Sequence, residues 1–117
     1  MQTEVLLKII QDVLDEHKGQ NIVTLDVIKK SSFTDYMVVV TGTSDRHLHA
    51  LCDYASDKSK ENGVRPLGIE GGLGSGWVLL DLGDIIVHAM TDQARDFYQL
   101  EKLWSVGDVK EIQKQAG

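Results

Sequence analysis

The sequence predicts an α+β domain, in which a mixed β-sheet carries flanking helices. Two observations indicate this class: an amphipathic helical stretch opens the chain, and apolar runs with strand-like alternation follow it, separated by further helical stretches. With 117 residues and 42% hydrophobic content, the chain has room for one sizeable core and is too short for two. We therefore expect a single domain over residues 1–104 and a polar, loosely attached tail over 105–117.

The first half of the chain begins with a helix over residues 2–18, where apolar residues recur every three or four positions. Gly19 is expected to end this helix in the left-handed conformation. A stretch rich in β-branched residues over 22–28 predicts a strand. The next strand, over 36–42, is almost continuously apolar, which is typical of a central strand buried on both faces.

The second half is expected to contain a helix, a short strand, a hairpin and a final helix, over residues 43–62, 67–70, 77–90 and 91–104. Thr43 or Ser44 is expected to cap the first of these helices, because a side-chain hydroxyl can accept from the free amides of the first turn. The order strand, helix, strand favours a crossover connection. In the final helix, the residues spaced to pack on the sheet are Ala94, Phe97, Leu100, Leu103 and Trp104.

The hairpin is the stretch with the clearest functional pattern. Because successive strand side chains point to opposite faces, its first strand has one continuously apolar face and one mixed face. The apolar face carries Val78, Leu80 and Leu82, and the mixed face carries Trp77, Leu79 and Asp81. If the apolar face is core, the mixed face offers a docking surface more than a catalytic pocket. We expect Trp77, which follows a glycine run, to be exposed.

Composition narrows the classes of partner. The net charge of −6 repels the phosphates of nucleic acids and favours basic partners, so direct DNA binding is not expected. No apolar run is long enough for a transmembrane helix, and the amino terminus lacks a signal-peptide pattern. Cys52 has no second cysteine to pair with. We expect a cytoplasmic protein that does not interact with membranes.

Two enzymatic patterns compete with the docking interpretation. The glycine run over 71–76 could approach phosphates, but its spacing fits neither nucleotide-binding motif, and it leads into a strand rather than a helix. Ser44 with Asp81 and Asp84 loosely resembles the phosphate and metal ligands of a nucleotidyltransferase, and this remains the alternative function. In the structural interpretation, Asp84 caps the hairpin and Asp81 is a surface charge.

Histidine and cysteine residues offer weaker patterns. His47 and His49 lie two positions apart and cannot share a helix face, which argues against a zinc site. Cys52 lies on the apolar stripe of its helix and is expected to be structural. His88 in a strand is expected to be a core or half-buried residue rather than a catalytic base. We expect no cofactor and no metal.

Five segments together resemble the ribosomal silencing factor family, whose members are also called Iojap-like proteins. The segments are FTDY at 33–36, GTSDRH at 42–47, GIEG at 68–71, WVLLDLGDIIVH at 77–88 and ARDFYQLEKLW at 94–104. The resemblance spans residues 1–104 in order. The tail from residue 106 extends beyond the point where many members end.

The resemblance implies a nucleotidyltransferase-like fold without transferase chemistry. It further implies a translational repressor that binds ribosomal protein fourteen of the large subunit and sterically blocks joining of the small subunit when nutrients are scarce. The positions that match the family and are expected to contact the partner are Trp77, Leu79, Asp81, Leu82, Gly83 and Asp84, supported by Tyr98, Glu101 and Lys102. A further hypothesis is a homodimer that forms through the same partner-contact surface in the absence of the ribosome.

Overall fold

In the part of the chain that the structure describes, six strands form one mixed sheet. The structure is a computed structural model that describes residues 2–72, 74–104 and 110–113. The elements along the chain are α1 (Thr3–Glu16), β1 (Gln20–Asp26), β2 (Tyr36–Thr41), α2 (Asp45–Glu61), β3 (Gly68–Gly71), β4 (Trp77–Asp81), β5 (Ile85–Met90), α3 (Asp92–Tyr98), α4 (Leu100–Trp104) and β6 (Lys110–Gln113). The strands lie in the sheet in the order β3-β4-β5-β2-β1-β6. The α+β class predicted from the sequence is confirmed.

The residue that ends α1 differs from the prediction. Lys18, with φ 68°, takes the left-handed conformation, and Gly19 does not. Gly19 is required for close packing instead, because a Cβ there would lie 2.6 Å from Cγ2 of Val40 and 2.8 Å from the carbonyl oxygen of Leu14. The amide of Gly19 also donates to that carbonyl at 2.8 Å. Gly19 thus lets the chain leave α1 close against the core.

β2 occupies the middle of the sheet, as its apolar run predicts. It pairs antiparallel with β1 and parallel with β5, and all six of its residues are buried. α2 carries the chain from β2 to the edge strand β3, and β4 and β5 then bring it back until β5 lies beside β2. This is the crossover connection that the order of elements predicted.

The helices cover the two faces of the sheet unequally. α1 and α2 pack on one face, where their apolar stripes form the main core with inward residues of β2, β4 and β5. α3 and the start of α4 lie against the other face, where Ala94 and Leu100 pack with Val39 and Met90. Because both faces are covered, every residue of β2 and β5 is buried, and most of them are apolar.

The helix predicted over residues 91–104 is interrupted. α3 ends at Tyr98, Gln99 adopts a left-handed conformation with φ 48°, and α4 begins at Leu100. The break changes which side chains face the sheet: Ala94 and Leu100 are buried, whereas Phe97 is 78% exposed. The prediction that Phe97 packs on the sheet is therefore wrong. The side chains of Leu103 and Trp104 lie outside the described part of the structure.

The tail contributes a strand that its polar composition did not indicate. β6 pairs antiparallel with β1, from Asp26 opposite Lys110 to Val23 opposite Gln113. The expectation of a loosely attached tail therefore does not hold for these four residues, and residues 105–109 and 114–117 lie outside the described structure. Among the described residues, no helix is long and apolar enough to cross a membrane.

Candidate functional site

Trp77 lies at the start of β4 and is anchored to the neighbouring strand. It is half-buried rather than exposed, which corrects the prediction. Its indole Nε1 donates a hydrogen bond to Nδ1 of His88 on β5 at 3.1 Å. His88 itself is buried, as expected of a structural histidine, and desolvation lowers the pKa of its imidazole to about 4. Trp77 is therefore a fixed platform and not a freely rotating anchor.

Two further aromatic rings extend this platform to the surface. The ring of Tyr98 lies 4.8 Å from that of Trp77, and the ring of Phe97 meets Tyr98 edge-on at 5.0 Å. Phe97 and Tyr98 are 78% and 49% exposed. We call Trp77, Phe97 and Tyr98 the aromatic patch. Exposed aromatic rings grouped on a buried base are typical of protein interfaces.

The break between α3 and α4 is held by an ion pair. Arg95 Nε and Glu101 Oε1 are 2.5 Å apart, and Arg95 Nη2 donates to Glu101 Oε2 at 3.0 Å. Arg95 Nη1 also donates to the hydroxyl of Thr41 at the end of β2, at 2.8 Å. Glu101, predicted to contact a partner, is thus engaged within the chain, whereas the neighbouring Lys102 is exposed. The ion pair fixes α3 and α4 beside the aromatic patch.

The β4–β5 turn uses its carboxylates differently from the prediction. Asp81 Oδ1 accepts from the amide of Gly83 at 2.9 Å, so Asp81 is the residue that closes the turn. Gly83 has φ 88°, a conformation that glycine adopts without strain. Asp84 accepts a hydrogen bond at Oδ2 from the hydroxyl of Thr3 at 3.1 Å. The structural roles assigned to Asp81 and Asp84 from the sequence are therefore reversed.

The two faces of β4 are those predicted by alternation. Val78 and Leu80 are completely buried, and Trp77, Leu79 and Asp81 are half-buried on the other side. Leu82 is 5% exposed and belongs to the main core, so its side chain has almost no surface to offer a partner. Leu82 therefore does not fit the predicted contact set.

The remaining predicted contact residues form two groups. Trp77 and Asp81 occupy opposite ends of β4, about 13 Å apart at the usual rise of a strand. Tyr98, Glu101 and Lys102 follow the carboxyl end of β5, which pairs with the Trp77 end. Gly83 and Asp84 lie with Asp81 at the other end, and Leu79 lies between the groups. A single contact at both ends would have to span the whole strand.

The same topology separates the residues of the nucleotidyltransferase alternative. Ser44 follows the end of β2 that lies level with Trp77, whereas Asp81 is at the far end of β4. The Ser44 hydroxyl accepts a hydrogen bond from the amide of His47 at 3.1 Å, so Ser44 is the N-cap of α2, as predicted. Within the described residues, no group of three or more His, Cys, Asp or Glu side chains is placed to hold a metal ion. Ser44, Asp81 and Asp84 therefore do not form one site.

The glycine run is bound to α2 instead of being presented to a ligand. The amide of Gly74 donates to Oδ2 of Asp45 at 2.6 Å. Gly72 lies so close to the imidazole of His49 that a Cβ would come within 2.2 Å of its Nε2.

Cys52 is buried, and desolvation raises the pKa of its thiol to about 12, which leaves the thiol unreactive, as expected.

A shallow groove separates the glycine run from α3, next to the aromatic patch. Its volume is about 580 Å³, and it is open to solvent along one side. Its walls include Asp45 and Asp96 together with Phe97 and Tyr98. Sequence reasoning missed Asp45 and Asp96, because only the folded arrangement of α2, the glycine run and α3 brings them to one surface.

Comparison with known proteins shows which family the chain is similar to. Residues 1–116 match the family model described as "Ribosomal silencing factor during starvation". The ribosomal silencing factor of Haemophilus influenzae is 44% identical over 100 residues, which cover 86% of this chain and 98% of the relative. The mouse protein named "Mitochondrial assembly of ribosomal large subunit protein 1" is 32% identical over 103 residues, covering 86% of this chain and 45% of the relative.

A solved structure shows the same fold. The crystal structure of a Chromobacterium violaceum protein superposes with a TM-score of 0.86 at 38% sequence identity, covering 92% of this chain and 90% of that chain.

Proposed function

Because the chain belongs to the ribosomal silencing factor family, we propose that it silences translation by binding the large ribosomal subunit. In this proposal it contacts ribosomal protein fourteen and prevents the small subunit from joining, which lowers translation when nutrients are limited. The family description refers to starvation, and the name of the mouse relative refers to the large subunit. The function is carried out in the cytoplasm and needs no cofactor.

The aromatic patch is the single observation that carries the proposal. Phe97 is 78% exposed, and Tyr98 packs on the fixed indole of Trp77. Interface hot spots are enriched in aromatic residues that sit on rigid, well-packed supports. The net charge of −6 complements a basic ribosomal protein and opposes non-specific attachment to ribosomal RNA.

Obstruction requires bulk and a fixed position rather than chemistry. The domain measures 34 × 31 × 29 Å along its principal axes. The ion pair between Arg95 and Glu101 keeps the aromatic patch in place. Leu79 and Lys102 extend the contact, and Asp81, Gly83 and Asp84 form a second contact at the opposite end of β4.

Subunit joining in a sucrose gradient tests the proposal. Purified small and large subunits are mixed with increasing amounts of the protein, and the fraction of joined ribosomes is measured. We expect joining to fall as the protein saturates the large subunit, with the protein sedimenting with large subunits only. Normal joining at saturating protein would contradict the blocking function.

The contact surface is tested with matched aromatic variants. Phe97→Ala and Tyr98→Ala should each weaken binding to large subunits by about tenfold or more, since truncation of a hot-spot residue costs about 2 kcal/mol or more. Tyr54→Ala is the control, because Tyr54 is a tyrosine of similar exposure to Tyr98, at 45%, but lies on α2, which packs on the opposite face of the sheet. Equal binding by all three folded variants would exclude the aromatic patch.

The second contact and self-association need separate measurements. Asp81→Asn with Asp84→Asn keeps an oxygen acceptor at each position and removes two charges, so a loss of binding would show that those charges contact the partner.

We also propose that the free protein forms a homodimer through the aromatic patch. Sedimentation equilibrium should then show a concentration-dependent mass that Phe97→Ala reduces, and a constant monomer mass would contradict this.

A further inference from the structure

The groove beside the aromatic patch has the charge of a cation site. Of its lining residues that the structure describes, Asp45 and Asp96 alone carry a formal charge at neutral pH. Arg95, which directly precedes Asp96 in α3, is directed elsewhere, because its guanidinium binds Glu101 and Thr41. The field inside the groove is therefore negative and is not neutralised by a neighbouring side chain of α3.

The two helix ends at the groove do not favour an anion. At α2, the Ser44 hydroxyl accepts a hydrogen bond from the amide of His47. At α3, the Thr91 hydroxyl accepts one from the amide of Ala94 at 3.3 Å. Each helix also carries a carboxylate in its first turn, Asp45 in α2 and Asp92 in α3. Capped amides and nearby carboxylates leave little positive potential for a phosphate.

The aromatic wall distinguishes between the possible cations. Phe97 is 78% exposed and lines the groove together with Asp96, so its ring is open to a ligand that also reaches that carboxylate. A planar guanidinium can stack on an aromatic face and bind a carboxylate at the same time, whereas an ammonium is a compact and more strongly hydrated charge. An arginine side chain suits this combination of groups best.

We propose that the groove receives an arginine side chain of a basic partner protein, with Asp96 as the counter-ion and Phe97 as the stacking surface. Asp45 adds charge from the opposite wall while its Oδ2 holds the glycine run through Gly74. The inference rests on the proposed function only in naming the partner, a basic protein of the large subunit. The groove gives the docking surface specificity beyond the aromatic patch itself.

Titration of the full chain with blocked tripeptides tests the groove without ribosomes. The probe is acetyl-Gly-Arg-Gly-amide, followed through backbone amide chemical shifts, with a citrulline peptide as the uncharged isostere and a lysine peptide as the non-planar cation. We expect saturable shifts at Gly74, Phe97 and Tyr98 with a dissociation constant of roughly 1 mM. We expect weaker binding of the lysine peptide and none of the citrulline peptide. Equal binding of the three peptides, or shifts only elsewhere, would overturn the proposal.

Charge variants then connect the groove to the large subunit. Asp96→Asn should weaken both peptide and subunit binding by about threefold, and Asp96→Lys by about tenfold or more. Asp57→Lys is the matched control, because Asp57 is exposed on α2 and does not line the groove. Subunit binding that Asp96→Lys leaves unchanged would overturn the groove while the proposed function stands. Failure of the unaltered chain to bind large subunits would overturn the proposed function, and the peptide titration would still decide on the groove.

Discussion

The indole of Trp77 and the imidazole of His88 are joined across two adjacent strands by a hydrogen bond of 3.1 Å. Leu79 lies directly opposite His88 in the register, so Trp77, two residues before Leu79, is the diagonal neighbour of His88 on the same face of the sheet. Because the indole can only donate, Nδ1 of His88 accepts, and the proton of the neutral ring is on Nε2. Protonation of Nδ1 would abolish this hydrogen bond and place a charge inside the sheet.

This relationship predicts a loss of stability in mild acid. Burial lowers the pKa of His88 to about 4 in the folded chain from 6.5 in the unfolded chain. Between these values the unfolded state binds more protons, so the stability contributed by neutral His88 is complete above pH 6.5 and is lost as the pH falls toward 4. The full effect is about 3 kcal/mol, measured as the free energy of unfolding in urea. Between pH 7 and 4.5, the unfolding free energy of His88→Gln should fall by about 2 kcal/mol less than that of the unaltered chain. Equal falls in the two proteins would contradict the assignment.

The ion pair between Arg95 and Glu101 predicts a measurable coupling energy. Their side chains are only 12% and 26% exposed, so removing one partner leaves the other charge poorly solvated. Arg95→Gln and Glu101→Gln should each cost about 1–3 kcal/mol of unfolding free energy. The double variant should cost at least about 1 kcal/mol less than the sum of the two. Simple additivity would show that the two residues act independently.

Gly19 and Gly68 offer a matched pair for testing close packing. Gly19→Ala would place a methyl group against Val40 and the Leu14 carbonyl, and we expect a loss of about 1–3 kcal/mol. Gly68→Ala meets nothing within 4 Å, and we expect a change within about 0.5 kcal/mol. Thermal or urea unfolding gives both values. Similar values for the two substitutions would contradict the packing role of Gly19.

The surroundings of Asp35 predict that removing the charge of its side chain stabilises the folded chain slightly. Burial raises the pKa of its carboxyl, with further increases from Asp84, Glu4 and Asp26. The protonated form is therefore favoured in the folded chain, and the ionised form at neutral pH opposes folding. Asp35→Asn should stabilise by less than about 1 kcal/mol at pH 7, because the site is open to solvent. Added salt should reduce the part of the gain that comes from the three carboxylates, and destabilisation by Asp35→Asn would contradict the interpretation.

Much of the sheet was predictable because strand alternation is a local property. The outward and inward faces of β4 follow directly from the residue types over 77–81, and the continuous apolar run of β2 indicates its central position. The cap at Ser44 was predictable for the same reason, since a hydroxyl and the amides it caps lie within four residues.

The candidate site was predictable only in part. Trp77 and Tyr98 stand out by residue type, but Phe97 has the spacing of a core residue in an unbroken helix, and the turn at Gln99 changes its direction. The contact between Asp45 and Gly74 joins residues 29 positions apart in the chain, and no local pattern encodes it. Strand β6 escaped prediction because an edge strand can form from polar residues once a neighbouring strand supplies hydrogen bonds.

The parallel register of β2 and β5 sets an order for folding. Tyr36 pairs with Ile85, and everything from α2 to β4 lies between them in the chain. The antiparallel pairs β1–β2 and β4–β5 need only short connections, so each can form early, whereas joining them closes a long loop. We expect the seam between the two halves to be unformed in the folding transition state. Truncation of Val38 should then accelerate unfolding while leaving the refolding rate nearly unchanged.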